Sequence, residues 1–195
     1  MRDRVLTWLA DNVPKSRLKH ILGVEKMSIA LARHYHLNEE QAGIAGLMHD
    51  LAKCFKPARL LKMAREEGIE IDPVCDRYPH LLHADVSAIV AREQFGIEED
   101  SILAAIRNHT LGRPNMSQLS CVVFAADALE PSRGNTEELQ AMRQVCWQNL
   151  HQSVWQTSDY SLRYLLATER AIHPRTVLTR NWALQQYRQT LRKAD

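Results

Sequence analysis

Glycine and proline are scarce in this chain, seven of each among 195 residues, and alternating β-branched runs are few. Strands and hairpins therefore have little support. An excess of one charge sign is also missing. The 25 Lys and Arg against 23 Asp and Glu leave a net charge of +2 at pH 7, and no run of five or six basic residues occurs. That balance disfavours a dedicated nucleic-acid or membrane-surface role. The longest uncharged apolar stretch, "LSCVVFAA", is far too short to span a membrane. The opening "MRDRVLTWLADN" carries charges where a secretory leader needs an unbroken apolar core. Cys54, Cys75, Cys121 and Cys146 form no C-x-x-C pair, which argues against a zinc–thiolate site and leaves four reduced, mostly buried thiols. A cytoplasmic protein is the expectation.

What remains is ordinary globular composition, 45% apolar and 25% charged, at a length suited to one domain. Apolar residues recur at helical spacing along the whole chain, so the expected fold is all-α, a single-domain helical bundle over 1–195. The spacing of His20, Val24, Met27 and Leu31 predicts a helix from about Ser16, as N-cap, to Tyr35. Asn38 with Gln41 predicts a capped start for a helix running through "QAGIAGLMHDLA" to Pro57. Further helices are expected near 57–67, 80–95, 99–110, 115–129, 135–155, 159–172 and 176–192, the last two forming a C-terminal layer. Breaks fall at "EEGIEIDP", "GRPN", "EPSRGN" and "HPR".

Within "GLMHDLAKCFKP", His49 and Asp50 stand side by side at the end of an apolar stretch. A single such doublet arises easily by chance. Other helices add to it on their inward faces: His20 beside Val24 and Leu31, His83 before Val86 and Val90, His109 after Ile102 and Ile106, Asp127 after Val123 and Phe124. His49 shares its face with Ala42 and Ala45, small residues that let another helix approach. Each alone has a plain explanation as a hydrogen-bonded core residue or a cap. Together they are costly to bury: an unpartnered carboxylate costs several kcal/mol, and no matching set of inward Arg or Lys is evident. Cations from solution resolve that cost, and imidazole with carboxylate suits zinc, iron, manganese or nickel. His34, His36, His80, His151 and His173 fall outside this pattern, and Trp8, Trp147, Trp155 and Trp182 read as core or interface residues.

Helix-borne His, then His-Asp, then two further His, then Asp resembles the ligand order of the HD-domain metal-dependent phosphohydrolases. More closely, the chain resembles the YqeK group of symmetrical diadenosine tetraphosphatases. The segments that carry the likeness are "RLKHILGV" (17–24), "HDLAK" (49–53), "LLHADVSA" (81–88), "IRNHTLGRPNMSQL" (106–119) and "AADALEPSR" (125–133), with "IHPRTVLTRN" (172–181) extending it. The resemblance implies a metal-binding core at about 16–133 and a C-terminal helical layer at about 135–193. It implies that His20, His49, Asp50, His83, His109 and Asp127 are metal ligands, with Asp50 bridging two divalent transition-metal ions, iron first and manganese or cobalt as alternatives. The chain departs from the group at Ala84 and at Ser120-Cys121, neither of them a ligand position.

A dinuclear site of this kind keeps a net positive charge suited to a polyphosphate. The implied reaction is attack of a metal-activated hydroxide on an inner phosphate of diadenosine tetraphosphate, giving two ADP. Lys53, on the His49 face, and Arg133 are candidates to grip phosphate and assist catalysis beside Asp50. Arg17 and Thr110 are further substrate-binding candidates. The partner expected is the small dinucleoside polyphosphate, without nucleic acid or membrane, and with a homodimer left open. The alternatives are a nucleotide phosphatase or guanosine polyphosphate alarmone hydrolase on the same site, and a non-catalytic nucleotide-binding module. A cyclic-dinucleotide phosphodiesterase is disfavoured because no Gly-Tyr-Pro follows a His-Asp pair.

Overall fold

A computed structural model describes residues 1–192, and among these it contains eleven α-helices and no strand. They are α1 (Arg2–Asn12), α2 (Lys15–His34), α3 (Glu39–Met48), α4 (Pro57–Glu66), α5 (Pro73–Arg77), α6 (His83–Phe95), α7 (Asp100–Asn108), α8 (Gln118–Leu129), α9 (Glu137–Cys146), α10 (Leu150–Ala167) and α11 (Pro174–Arg192). Short 3₁₀ turns at Pro79–Leu82 and Pro131–Arg133 precede α6 and follow α8. The end of the expected C-terminal layer, residue 193, lies outside the described residues.

The all-α expectation holds, with local corrections. Ser16 is not the cap of α2: Pro14 takes the N-cap position, so Ser16 lies inside the first turn. Asn38 does cap α3, its side chain accepting the Gln41 N–H. That helix stops at Met48 instead of running on to Pro57, and His49-Asp50 opens a chain of tight turns. The break expected near 155–159 is absent, because α10 runs unbroken from Leu150 to Ala167. Thr157 and Ser158 satisfy their hydroxyls on carbonyls within the helix, Thr157 on Ser153 and Ser158 on Val154, and so fit its interior. Instead α9 and α10 are separated at Asn149, which caps α10. The helices α1 and α5 are additions to the expected set.

Two apolar clusters organise the bundle. One gathers Val5 and Leu9 of α1 with the inner faces of α3, α6 and α7, and the other gathers Leu129 of α8, Leu139 of α9, Val154 of α10 and Ala183 of α11. Helices α2 and α8 serve both: Ile21 and Val123 belong to the first cluster, Val24 and Val122 to the second. Each fully buried Leu or Val contributes about 1.5–3 kcal/mol, so α2 and α8 are held from two sides. His20 and Asp127, which sit on these two helices, are thereby fixed where the clusters meet.

The contact of α3 with α2 is close because of Gly43 and Gly46. A Cβ at Gly46 would press on the Glu25 backbone and Ser28, and one at Gly43 on Ile29. Ala42 and Ala45, the small residues singled out from the sequence, are fully buried in the first cluster. The C-terminal helix also reaches the centre. Arg175 Nε donates to the Gly112 carbonyl at 2.8 Å and Thr179 Oγ1 to the Leu111 carbonyl at 2.9 Å, pinning the turn that follows His109. Gly112 is required there: its φ is +61°, and a side chain would overlap Thr179. No described helix is long and apolar enough to cross a membrane.

Candidate metal centre

Three of the four inward histidines stand at ends of helical elements, and the local backbone orients each in the same way. His49 and His109 follow the last residues of α3 and α7, and His83 opens α6 after a 3₁₀ turn. The last carbonyls of a helix lack intrahelical partners. The Nδ1 of His49 donates to the Gly46 carbonyl at 2.7 Å, and that of His109 to the Ile106 carbonyl at 2.7 Å. His83 Nδ1 repeats the motif on the His80 carbonyl at 2.5 Å. His20, inside α2, has no such carbonyl; its Nδ1 donates to Glu130 Oε1 at 2.9 Å. With every Nδ1 proton directed outward, each ring presents the Nε2 lone pair inward.

Those lone pairs meet. His20 Nε2 lies 3.3 Å from His49 Nε2, and His83 Nε2 lies 3.1 Å from His109 Nε2. Asp50 stands between the two pairs. Its Oδ2 is 3.5 Å from His49 Nε2 and 3.9 Å from His20 Nε2, while its Oδ1 is 3.3 Å from His83 Nε2 and 3.5 Å from His109 Nε2. Asp127 Oδ1 completes the first group, 3.0 Å from His20 Nε2 and 3.7 Å from His49 Nε2. Asp50 Oδ1 is buried and has no hydrogen-bond partner among the described residues. Two pairs of acceptors facing each other around an orphaned carboxylate oxygen fit divalent cations, and the donor set, imidazole and carboxylate, is that of a transition-metal site. His20-His49-Asp50 and Asp50-His83-His109 form two ligand groups sharing one carboxylate.

The buried groups act strongly on one another: burial would lower the His49 pKa, but Asp50 and Asp127 raise it. Burial alone would raise the carboxyl pKa values of Asp50 and Asp127, but the surrounding imidazoles, and Arg133 for Asp127, hold both well below the usual range. Burial, reinforced by the nearby Lys53 ammonium, pushes His83 down to about 4 against the opposing pull of Asp50, so its ring stays neutral.

All four remaining candidates line the same centre, and two of them correct the expectation of no inward cations, because Arg17 pairs with Asp50 and Arg133 with Asp127. Arg17 Nη1 donates to Asp50 Oδ2 at 2.9 Å, and Lys53 Nζ and Thr110 Oγ1 lie 3.1 and 3.0 Å from His83 Nε2. Arg133 donates to the carbonyl and carboxylate of Asp127, at 2.7 and 2.5 Å. The ten residues singled out from the sequence therefore converge on one place.

Glu130 was missed. It is 1% exposed, and besides orienting His20 it accepts the Ser132 N–H at 2.7 Å and the Ser132 hydroxyl. Gly23, one turn after His20 in α2, leaves the space its carboxylate fills; a side chain there would collide with it. A glycine in mid-helix costs roughly 1 kcal/mol relative to alanine, and that unexplained cost beside a candidate ligand was the available signal. Arg143 holds the backbone of the same loop, donating to the carbonyls of Leu129, Glu130 and Gly134.

The HD domain family model matches residues 17–132, and the chain belongs to that family. Its relatives narrow the class further. A protein of Bacillus subtilis named symmetrical bis(5'-nucleosyl)-tetraphosphatase is 32% identical over 93% of this chain and 96% of its own length. One of the same name from Halalkalibacterium halodurans is 31% identical over 94% and 97%. A crystal structure from Clostridium acetobutylicum, described as a predicted HD superfamily hydrolase involved in NAD metabolism, superposes with a TM-score of 0.91 at 30% identity, covering 95% of this chain and 98% of that one.

Proposed function

We propose that this chain is a metal-dependent hydrolase that splits diadenosine tetraphosphate symmetrically into two ADP. The observation that carries the reading is the placement of Asp50, one oxygen toward His83 and His109 and the other toward His20 and His49. The relatives named as symmetrical tetraphosphatases, matched over nearly the whole chain, supply the substrate class.

In this reading His20, His49, Asp50 and Asp127 hold one divalent ion and Asp50, His83 and His109 the other; iron is what the family likeness favours, with manganese or cobalt as substitutes. Bound there, the ions supply Lewis acidity and lower the pKa of water. The chain's own groups do the rest. Arg17, Lys53 and Arg133 already reach ligand atoms, so each can swing a short distance to a phosphate oxygen. Thr110 donates a hydrogen bond to the same region. Arg133 offers a two-pronged grip and Lys53 a point charge, suited to holding the chain of phosphates and stabilising charge that grows on the departing oxygen. The fully buried rings of His49 and His83 wall one side from bulk water, which strengthens these attractions. The same reading takes the enzyme as cytoplasmic, with no nucleic-acid or membrane partner.

Water attack at an inner phosphorus breaks the bond to the neighbouring bridging oxygen. One ADP leaves with that oxygen, and the other keeps the oxygen of the water. Chromatography of the products made in heavy-oxygen water tests this: ADP is the sole primary product, and one of every two ADP molecules carries label. AMP and ATP as primary products would overturn the symmetric assignment. Guanosine polyphosphates or mononucleotides turned over faster than the dinucleotide would assign the same centre to another phosphoester.

A further inference from the structure

A cavity of about 340 Å³ opens from the metal centre. Its lining includes His109, Asp127 and Arg133 of that centre together with Phe124, Tyr160 and Tyr164. We infer that this cavity seats one purine nucleoside of the substrate, its base stacked against the tyrosines of α10 while the attached phosphates lie on Arg133. This rests on the proposed reading of the centre as a dinucleoside polyphosphate hydrolase, and it identifies the side chains that recognise the nucleoside half.

Four observations carry it. Tyr160 and Tyr164 are four residues apart on α10, so both rings project from one face of the helix. Tyr164 is 51% exposed, a large ring that no core residue covers. It is braced, with the Arg170 guanidinium 5.5 Å from its centroid. The cavity volume falls within the range of small-molecule sites, and its lining combines charged groups of the metal centre with aromatic rings, of which Tyr164 is exposed. That combination matches a nucleoside phosphate, whose anionic end must face Arg133 and whose flat base must face apolar ring surface. A larger cavity of about 390 Å³ behind Glu130, lined by Lys26, Arg143 and Trp147, includes none of the six proposed ligands and offers no such continuity.

Recognition by ring stacking accepts any base, since every base has a π-face. The seat is therefore expected to take adenine and guanine alike, and diguanosine tetraphosphate should be cleaved within a few-fold of the adenine substrate.

The test compares a ligand that has the nucleoside with one that lacks it. Titration calorimetry on metal-loaded protein measures binding of ADP and of inorganic tripolyphosphate to wild type, Tyr164→Ala, Tyr164→Phe and, as a control, Trp147→Ala. The expected result is a loss of ADP affinity of roughly five- to a hundredfold in Tyr164→Ala. Tripolyphosphate affinity should be unchanged in every variant, and Tyr164→Phe and Trp147→Ala should bind ADP within about threefold of wild type. With the dinucleotide, Tyr164→Ala should raise KM and leave kcat within a few-fold. ADP affinity unchanged in Tyr164→Ala, or lost in step with tripolyphosphate, would overturn the seat. Because ADP binding is read without turnover, a wild-type enzyme that yields AMP and ATP refutes the symmetric reaction while leaving this result to stand or fall by itself.

Discussion

At the ends of α3 and α7, His49 and His109 give their Nδ1 protons to carbonyls three residues back and turn Nε2 toward Asp50. At the start of α11, His173 does the reverse. Its Nδ1 accepts the Arg175 N–H at 3.0 Å, which places the proton on Nε2, and that nitrogen donates to Asp72 Oδ2 at 2.8 Å. Asp72, Cys75 and His173 converge as closely as ligands of a metal site would. Yet Asp72 Oδ1 is spent capping α5, accepting the N–H groups of Val74 and Cys75, and burial beside Asp72 pushes the Cys75 thiol up to about 12. The two clusters contain similar residue types and differ in which atoms are already committed. In one, the Nε2 atoms face each other around Asp50 and are approached by the movable side chains of Lys53, Thr110 and Arg133; the other is a latch that ties the C-terminal helix to α5.

The largest expected effect separates the two carboxylates. Asp50→Ala should abolish turnover and lower bound metal, because one side chain faces both ligand groups. Asp72→Ala should leave turnover and metal content within a few-fold of wild type and cost about 1–2 kcal/mol of stability, mainly the lost helix cap. Equal metal loss in the two variants would erase the distinction drawn between them.

Metal removal comes next. A chelator should silence the enzyme, and iron, cobalt or manganese should restore it, with thermal stability rising on metal addition in wild type and His173→Gln alike. Hydrolysis persisting after verified removal would rule out the metal-dependent reading.

Phosphate contacts should matter less. Lys53→Met and Arg133→Lys should keep their metal and lose kcat/KM by roughly ten- to a hundredfold, as for a charge-assisted hydrogen bond of ~1.5–3 kcal/mol. Wild-type kinetics in both would return these side chains to a purely local role. Glu130→Gln keeps an acceptor for His20 but removes its charge. Loss of an outer partner of this type weakens metal affinity about 10- to 100-fold, and the amide should fall at or below the low end. The smallest effect concerns thiols. At pH 8 one thiol per native chain, the exposed Cys54, should alkylate rapidly, whereas the buried Cys75, Cys121 and Cys146, each raised to about 12, should react only on unfolding. Rapid modification of Cys75 would mean that the latch is open.

Much of this was legible in the sequence because each inward histidine or aspartate sits among apolar residues at helical spacing, which names its face without a structure. The end of α3 was not legible. "HDLAKCF" holds neither glycine nor proline to mark a stop, yet the chain leaves the helix at His49 and continues in tight turns. The partner of His20 was hidden for another reason: Glu130 lies 110 residues away, and no periodicity links two such positions. Nor could composition distinguish His173 from His109. That difference lies in whether a ring nitrogen meets an N–H or a carbonyl, which is a property of backbone path.

Elemental analysis decides whether the four imidazoles and two carboxylates form one dinuclear centre while the latch holds no metal. Wild type, His49→Ala and His173→Ala would be loaded with the same metal and exchanged into metal-free buffer. Close to two ions per chain are expected in wild type and in His173→Ala, and a clear loss in His49→Ala. A third ion that disappears with His173, or two ions retained without His49, would contradict it.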